Sequence, residues 1–535
     1  MSNFRVNLLT KVPILLVIIT IILSWAKAGL IDENFLLAVD TIVLLCLFSL
    51  VKSNYSAKIC FIVFLPLLLL CAQFSISYLN PSYRIISQKN WTQLDIERCL
   101  ANESNIEKVV MTSEAFKNIF SISKKDPSLS NAIFFDFKNI YSDKFPNSKS
   151  STQELIIKYE NLIKNNQTKY IPTLTIGDNS TLLNFTHKLC QVITGVILFF
   201  VVRTRKQIRL LISILVINSG IIASIGIWQK LNYNPVPNQL EIFGLWNAPE
   251  PRYYFASFTY KNHWCAYALI GLSCGIGLLF RNHEKQGELF YKRFINLFLF
   301  LSLFTLIISI PLSGSRSGVL LMATTLLSVT ILCMIHYNLK NWGKMCAIIL
   351  LVVSGIIFIL FFNKKLHKDT TFEMINITKM QLDQFADGKK PFRLILWNDL
   401  LSQIVDKPLF GHGFNSYRSI NPLYQSAEVR NRRRQLLVNA HSNYVPLTGF
   451  GHNDWLEKIS EFGIFGLMLT CPYFYLLYLR FTRTSSLSCK ILFLGILVFL
   501  GYSFVDFPSQ TPACLIFFSV LNGLAIKYSY LTVKS

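Results

Sequence analysis

The sequence predicts an all-α polytopic membrane protein of about twelve transmembrane helices, with extracytoplasmic loops and an inserted exterior domain. Three observations carry that prediction. The chain is 52% hydrophobic and only 15% charged, with a mean hydropathy of +0.42, more apolar surface than one soluble core of 535 residues can hide. The apolar residues fall in runs long enough to cross a bilayer. Much of the Lys and Arg lies in short segments between those runs, as orientation signals do.

Runs at roughly 12–26, 35–51, 59–79, 189–202, 210–228, 264–280, 296–311, 318–336, 346–362, 463–479, 491–506 and 512–527 supply the spans. Backbone polar groups at that depth find partners only within a helix, so each run is read as one. The run at 189–202 falls short of the ~17 residues a span needs and is expected to borrow its polar flanks. The first run, from Val12, has no small-residue cleavage site and a second run follows at once, which marks a retained helix.

Alternating spans place Arg203, Arg205, Lys206, Arg209, Arg281, Lys285, Lys292, Arg293, Lys340, Lys344, Arg480, Arg483 and Lys490 on one side. By the positive-inside rule that side is the cytoplasm, and both termini lie there. The formal charge of +23 would point to nucleic acid in a soluble chain; here it points to an anionic lipid surface or an anionic lipid substrate. Nine of the 12 Cys sit in or beside apolar runs and no CxxC or Cys/His cluster occurs, so neither a disulfide framework nor a metal site is expected.

The resulting organisation is 1–79, N-terminal spans; 80–188, an exterior inserted domain, small α/β or mostly helical; 189–362, spans that include Arg316; 363–462, an exterior loop; and 463–535, C-terminal spans. A shorter exterior segment, 229–263, interrupts the third of these. Asn-x-Ser/Thr triplets such as Asn90–Thr92 and Asn166–Thr168 are expected by chance in so Asn-rich a segment.

Four exterior stretches hold candidate site residues. In PLSGSRSGVLLM, Pro311 to Met322, Arg316 is the only charge between two apolar runs. A charge kept beside hydrocarbon usually has a partner or a function, and the flanking Ser313, Gly314, Ser315, Ser317 and Gly318 would let an anion approach backbone N–H groups. A loop Arg snorkelling to headgroups is the plainer alternative. In FTYKNHWCAYALI, Lys261, Asn262 and His263 stand just before a helix, where a snorkelling Lys beside an interfacial Trp264 is again the plain account.

In PFRLILWNDLLSQIVDKPLFGHGFNSYR, residues Arg393, Leu394, Leu396, Trp397, Leu400, Leu401 and Ile404 recur at helical spacing. They predict an amphipathic helix along the membrane surface, ended by Pro408 and the Gly411/Gly413 pair. Finally, in GHNDWLEKISEFG, His452 is expected to begin a helix that enters the membrane, with Gly463 about three turns on as a small residue for helix packing. Asp454, Glu457 and Glu461 occupy its other faces, where acids suit the helix dipole. Asn453 stands next to His452, and a histidine at an outer membrane surface is a natural general base.

These residues together resemble the O-antigen ligase and O-antigen polymerase superfamily, bacterial membrane glycosyltransferases that use polyprenyl-diphosphate-linked sugars. An Arg-x3-Leu pattern stands at Arg316–Leu320 and a His-x10-Gly pattern at His452–Gly463; FTYKNHW is similar to the family's Asn-His element, with Tyr260 where Asn is common. Arg393 with Trp397, and KPLFGHGFNSY, resemble the element before the end of the large loop. The similarity spans roughly 189–527 and leaves 80–188 as an addition to a typical ligase.

The resemblance implies a site facing the periplasm of the bacterial inner membrane, within the exterior loop 363–462. It implies His452 as base for an acceptor hydroxyl and Arg316 as a diphosphate ligand. Position and charge add Arg393 as a second diphosphate contact and Lys261 as a weaker one, since guanidinium binds phosphate oxygens bidentately; Asn262, His263 and Asn453 would support them. The leaving group is already activated, so neither cofactor nor metal is required by the chemistry. The acceptor is expected to be the lipid A core, with a growing glycan or an exported protein as alternatives. A lipid-linked glycan flippase is the rival of a different class, and a membrane anchor displaying 80–188 would need far fewer helices.

Overall fold

The computed structural model describes residues 2–30, 32–52, 57–86, 109–111, 172–176, 179–232, 241–243, 245–247, 254–280, 289–337, 390–424, 426, 428–429 and 449–532. Two compact units divide the chain. The first comprises Met1–Ile59, Thr186–Asp383 and Tyr473–Ser535, and the second Cys60–Phe185 and Gln384–Pro472.

Helices run in the order α1 (Ser2–Trp25), α2 (Glu33–Leu47), α3 (Ala57–Leu79), α4 (Asn179–Val201), α5 (Arg205–Leu231), α6 (Lys261–Leu279), α7 (Leu289–Leu312) and α8 (Arg316–Tyr337). They continue as α9 (Phe392–Asp406), α10 (Tyr417–Tyr424), α11 (Asp454–Met468), α12 (Cys471–Arg483), α13 (Leu487–Tyr502) and α14 (Pro512–Thr532). Among the described residues, 8 helices are long and apolar enough to cross a membrane, and α11 with α12 would make 9 as one broken span. Two shorter apolar helices, Lys11–Trp25 and Leu487–Tyr502, match the first and eleventh expected runs. The run at 346–362 lies outside the described residues. This is a multi-pass helical membrane protein, and α4 starts at Asn179, so the polar residues ahead of its short apolar run do join the helix.

In the first unit α6 is the central element. Every residue from Asn262 to Leu278 is buried, and α5, α7, α8, α13 and α14 all pack on it. Its small residues Gly271, Ser273, Gly275 and Gly277 explain this: apolar side chains gain little by leaving lipid for protein, so close backbone approach supplies the attraction. The same economy joins α4 to α14. A Cβ at Gly195 would fall 2.1 Å from the Ser519 carbonyl oxygen, and one at Gly523 2.0 Å from that of Gly195.

The second unit mixes helices with strands, which departs from a purely helical chain. Strands β1 (Pro81–Ile86), β2 (Val109–Met111) and β3 (Leu174–Ile176) form a parallel sheet in the order β2-β1-β3. Arg84 pairs with Val109, and Pro81 with Leu174. In the first unit β4 (Glu241–Ile242) and β5 (Trp246–Asn247) make a short antiparallel pair.

The amphipathic helix forms as predicted, as α9. Its apolar stripe is shared between two directions: Ile395, Leu396, Asp399, Leu400 and Gln403 are buried, while Leu394, Leu401 and Val405 are exposed. The buried face packs on α10 and α11. Gln403 is the knot, because its Oε1 accepts from Ser460 Oγ (2.9 Å) on α11 and its Nε2 donates to Asn421 Oδ1 (3.3 Å) on α10.

The stretch from His452 to Gly463 differs most from expectation. The helix does not start at His452: Asn453 is its N-cap, and its side chain accepts from Leu456 N at 3.0 Å. Nor does Gly463 serve as a packing point on a continuous helix. It has φ +66° and ψ −169°, a conformation essentially restricted to glycine, and the helical path breaks there. The freed backbone pairs with Pro408–Gly413 instead: Ile464 N and Phe465 N donate to the carbonyls of Pro408 (2.8 Å) and Leu409 (3.0 Å). His412 N and Gly413 N donate to those of Ser460 (2.8 Å) and Glu461 (2.9 Å). Gln73, buried in α3, donates its Nε2 to the Phe410 (3.2 Å) and Phe462 (3.0 Å) carbonyls. An amide placed within an apolar helix thus satisfies carbonyls that the break would otherwise leave bare.

Candidate active site

The first unit gathers Lys261, Asn262, His263 and Arg316 at one end of its bundle. The first three are not ahead of α6 but are its opening residues. Asn262 Nδ2 donates to Asp506 Oδ2 and to the Tyr260 hydroxyl (2.8 Å). Asp506 is fully buried, and its Oδ1 accepts from Phe507 N (3.0 Å). His263 is buried too, its Nδ1 2.6 Å from Thr511 Oγ1 and its ring edge-on to Tyr260 and Phe507. These contacts make Asn262 and His263 parts of a packed polar knot at the start of α6, next to a half-buried Lys261.

Arg316 is the first residue of α8 and is exposed. The turn before it is fixed from several sides. Gly314 has φ +75°; Ser315 Oγ accepts from Gly318 N (3.2 Å); and the Tyr502 hydroxyl lies 3.1 Å from both Ser315 Oγ and Ser317 Oγ. Ser313 Oγ is 3.0 Å from Cys265 Sγ, one turn along α6 from Lys261, so the two cations share a neighbourhood. Small residues are required at this turn: a Cβ on Gly318 would come 2.7 Å from Cys265 Sγ.

The second unit carries Arg393, His452 and Asn453. His452 is half-buried and adopts φ +52°, a left-handed backbone that non-glycine residues seldom take. Both sides of it are gripped. Gly451 N donates to Glu457 Oε2 (3.0 Å), and Asn453 caps α11 through Leu456 N while its carbonyl accepts from Glu457 N (3.0 Å). Leu400 of α9 presses on Gly451, where a Cβ would meet its Cδ1 at 2.5 Å. Arg393, half-buried, lies seven residues before Leu400 on the same helix, about two turns or roughly 10 Å away. Behind His452, the carboxylates of Asp454, Glu457 and Glu461 are all buried rather than spread over solvated faces, and Lys458 bridges to Glu461 at 2.5 Å.

Beneath this lies a polar group that the sequence reading passed over. His412 is buried, and its Nε2 donates to the Gln403 carbonyl (3.0 Å). Burial, reinforced by the neighbouring Lys407 ammonium, pushes its pKa down to about 4; the Gln403 bond and Asp406 oppose this more weakly. Lys407, itself buried and donating to Thr173 Oγ1 (2.8 Å), is pushed down to about 8 by burial, with Asp406 acting the other way. For His412 the unfolded chain takes up a proton near its ordinary value of 6.5 and the folded chain only near 4. Stability is therefore lost as pH falls through that window, at up to about 1.4 kcal/mol per unit. His412→Gln should remove about 2 kcal/mol of the acid sensitivity between pH 6.5 and 5, read from denaturation midpoints of the full chain. An unchanged acid slope would show that His412 protonates freely in the folded state.

Asp506 and Tyr502 were also missed, having been counted into the expected run 491–506. The detectable signal was a lone acid at the end of an apolar stretch, which by default marks a function. Among the described residues no group of three or more His, Cys, Asp or Glu side chains is placed to hold a metal ion.

No curated protein matches the chain. Residues 301–471, a shorter stretch than the 189–527 expected from the motifs, match the family model described as O-antigen ligase. That region contains Arg316, Arg393, His452 and Asn453, and over it, about a third of its length, the chain is similar to the O-antigen ligase family.

Proposed function

We propose that the chain is a glycosyltransferase that moves a glycan from a polyprenyl diphosphate carrier to an acceptor hydroxyl on the outer face of the bacterial inner membrane, with the lipid A core as acceptor. The observation that carries this reading is the held, left-handed backbone at His452. Strain of this kind costs on the order of 1–3 kcal/mol and persists only where the surroundings over-determine it, as Glu457, Asn453 and Leu400 do here.

In the reaction the acceptor oxygen attacks the anomeric carbon and His452 takes the hydroxyl proton. The bond from that carbon to the phosphate oxygen breaks, and the lipid diphosphate leaves with the electron pair, inverting the centre in a single displacement. Arg316 and Arg393 bind the diphosphate as its charge grows, with Lys261 adding a weaker attraction. Asn262 and His263 support the start of α6, and Asn453 fixes the turn that presents His452. The step needs neither cofactor nor metal.

The test is the purified full-length chain in proteoliposomes with a polyprenyl-diphosphate oligosaccharide, offered lipid A–core, free glycan or a protein acceptor, with products read by mass spectrometry. Glycan appearing on lipid A–core supports the ligase reading. Lengthened glycan or glycosylated protein would keep the chemistry and change the acceptor. Donor that crosses the bilayer intact, with no transfer, would overturn the reading in favour of a transporter.

A further inference from the structure

Helix α9 carries a line of residues along the border between its two faces. Arg393, Trp397 and Ile404 are half-buried and, with Leu400, recur at intervals of three and four, beside the exposed Leu394, Leu401 and Val405. This stripe connects the two ends of the reaction. Arg393, the diphosphate contact, stands at its start, and Leu400 abuts Gly451, the residue before His452. Trp397 lies between them, one turn or about 6 Å along the axis from Arg393 and less than one turn from Leu400.

The Trp397 indole is held in place but not satisfied. Its ring packs on the cluster of Ile395, Leu396 and Val429, whose side chains offer no acceptor. Its Nε1 is buried without a hydrogen-bond partner. A buried indole N–H normally finds an acceptor, as that of Trp25 does in Asn218 Oδ1 (2.7 Å), and leaving one unmet costs free energy that Phe or Leu would not incur. Trp264 Nε1 also lacks an acceptor, but that ring is 0% exposed and stacked on Phe255, closed to any ligand. Trp397 keeps part of its ring open.

In a displacement at an anomeric carbon, the transferred sugar lies between the leaving diphosphate and the base that takes the acceptor's proton. A ring joined to a diphosphate at Arg393 and attacked beside His452 therefore runs along the Trp397 stretch of α9. An indole suits such a ligand, because its face offers apolar area to the C–H face of a pyranose and its N–H offers a donor to the sugar's oxygens.

We infer that Trp397 binds the diphosphate-linked pyranose of the donor, its ring covering one face of the sugar and its Nε1 donating to a sugar oxygen. This subsite rests on the glycosyltransferase reading above. It gives Trp397 a part in holding and selecting the glycan, separate from the proton transfer at His452.

Isothermal titration of the purified full-length chain in nanodiscs tests it with two ligands, a polyprenyl-diphosphate oligosaccharide and the same polyprenyl diphosphate without sugar. Trp397→Leu should weaken binding of the glycan-bearing lipid by about tenfold and that of the bare diphosphate by less than about twofold. Trp397→Phe preserves the ring packing should the leucine variant fail to fold. It should weaken the glycan-bearing lipid alone, by about threefold, the share of one neutral hydrogen bond. A Trp397 that serves only the packing of α9 would lower both ligands together. Equal losses on the two ligands, no loss in Trp397→Leu, or wild-type affinity in Trp397→Phe would overturn the subsite. A wild type that binds neither ligand would instead overturn the polyprenyl-diphosphate reading, and the subsite with it.

Discussion

Replacing His452 with alanine is expected to lower glycan transfer by about 10²–10⁴-fold, the usual contribution of a positioned general base, with little change in donor binding. Alanine alone does not separate a base from a structural residue, since any change at a strained position can disturb the turn. Glycine does. The φ of +52° at His452 costs a side-chain-bearing residue free energy and costs glycine almost none, so His452→Gly should be as stable as the wild type or slightly more so. It should nevertheless be as inactive as the alanine variant. A fall in kcat at constant KM, with an unchanged or raised melting temperature, is the signature expected of a group whose interaction is made in the transition state. If His452→Gly kept turnover within about threefold of wild type, the proton would leave by another route and the base would have to be sought elsewhere.

The helices were legible in the sequence because hydrocarbon permits little else: an apolar run of sufficient length has one backbone solution. Where the reading slipped, a single polar group or a single glycine decided the outcome against the local pattern. The periodicity from Trp455 to Phe462 is helical and so is the structure, but nothing in that period announces that Gly463 leaves the helix. That choice is made by residues 408–413, about fifty positions away in sequence, whose backbone takes up the freed donors. Asp506 and Gln73 were averaged into apolar runs, although a lone carboxylate or amide in such a run is costly unless something meets it. Asn262 meets the first, and the Phe410 and Phe462 carbonyls employ the second. The positions of Arg316 and Arg393 at helix starts were legible from their flanking glycines, serines and proline, which are local signals. The parallel pairing of β1 with β2 and β3 was not, because strands far apart in sequence pair through contacts that no window of residues contains.

Gly463→Ala is the substitution expected to damage the fold most. Its φ and ψ lie where alanine is essentially never found, at a cost on the order of 1–3 kcal/mol. A Cβ there would also come 2.2 Å from the Leu409 carbonyl oxygen, 2.4 Å from its carbon and 2.6 Å from Phe410 N. These are backbone atoms in the middle of a paired segment, so no rotamer change makes room. Relief requires pulling Pro408–Gly413 away from α11, which gives up the bonds from Ile464 N and Phe465 N and the Gln73 clamp that joins the Phe410 and Phe462 carbonyls. The combined loss should exceed about 4 kcal/mol, in the exceptional range for one methyl group, and should appear as a sharply reduced yield of folded protein or a large fall in melting temperature. Gly449→Ala is the matched control, because a Cβ there meets nothing within 4 Å and the stability should stay within about 0.5 kcal/mol of wild type. If Gly463→Ala behaved like Gly449→Ala, the break in α11 would be an ordinary bend that the chain can redraw. The break holds one end of the helix whose other end presents His452, so whatever folded Gly463→Ala protein is recovered should also turn over more slowly per molecule.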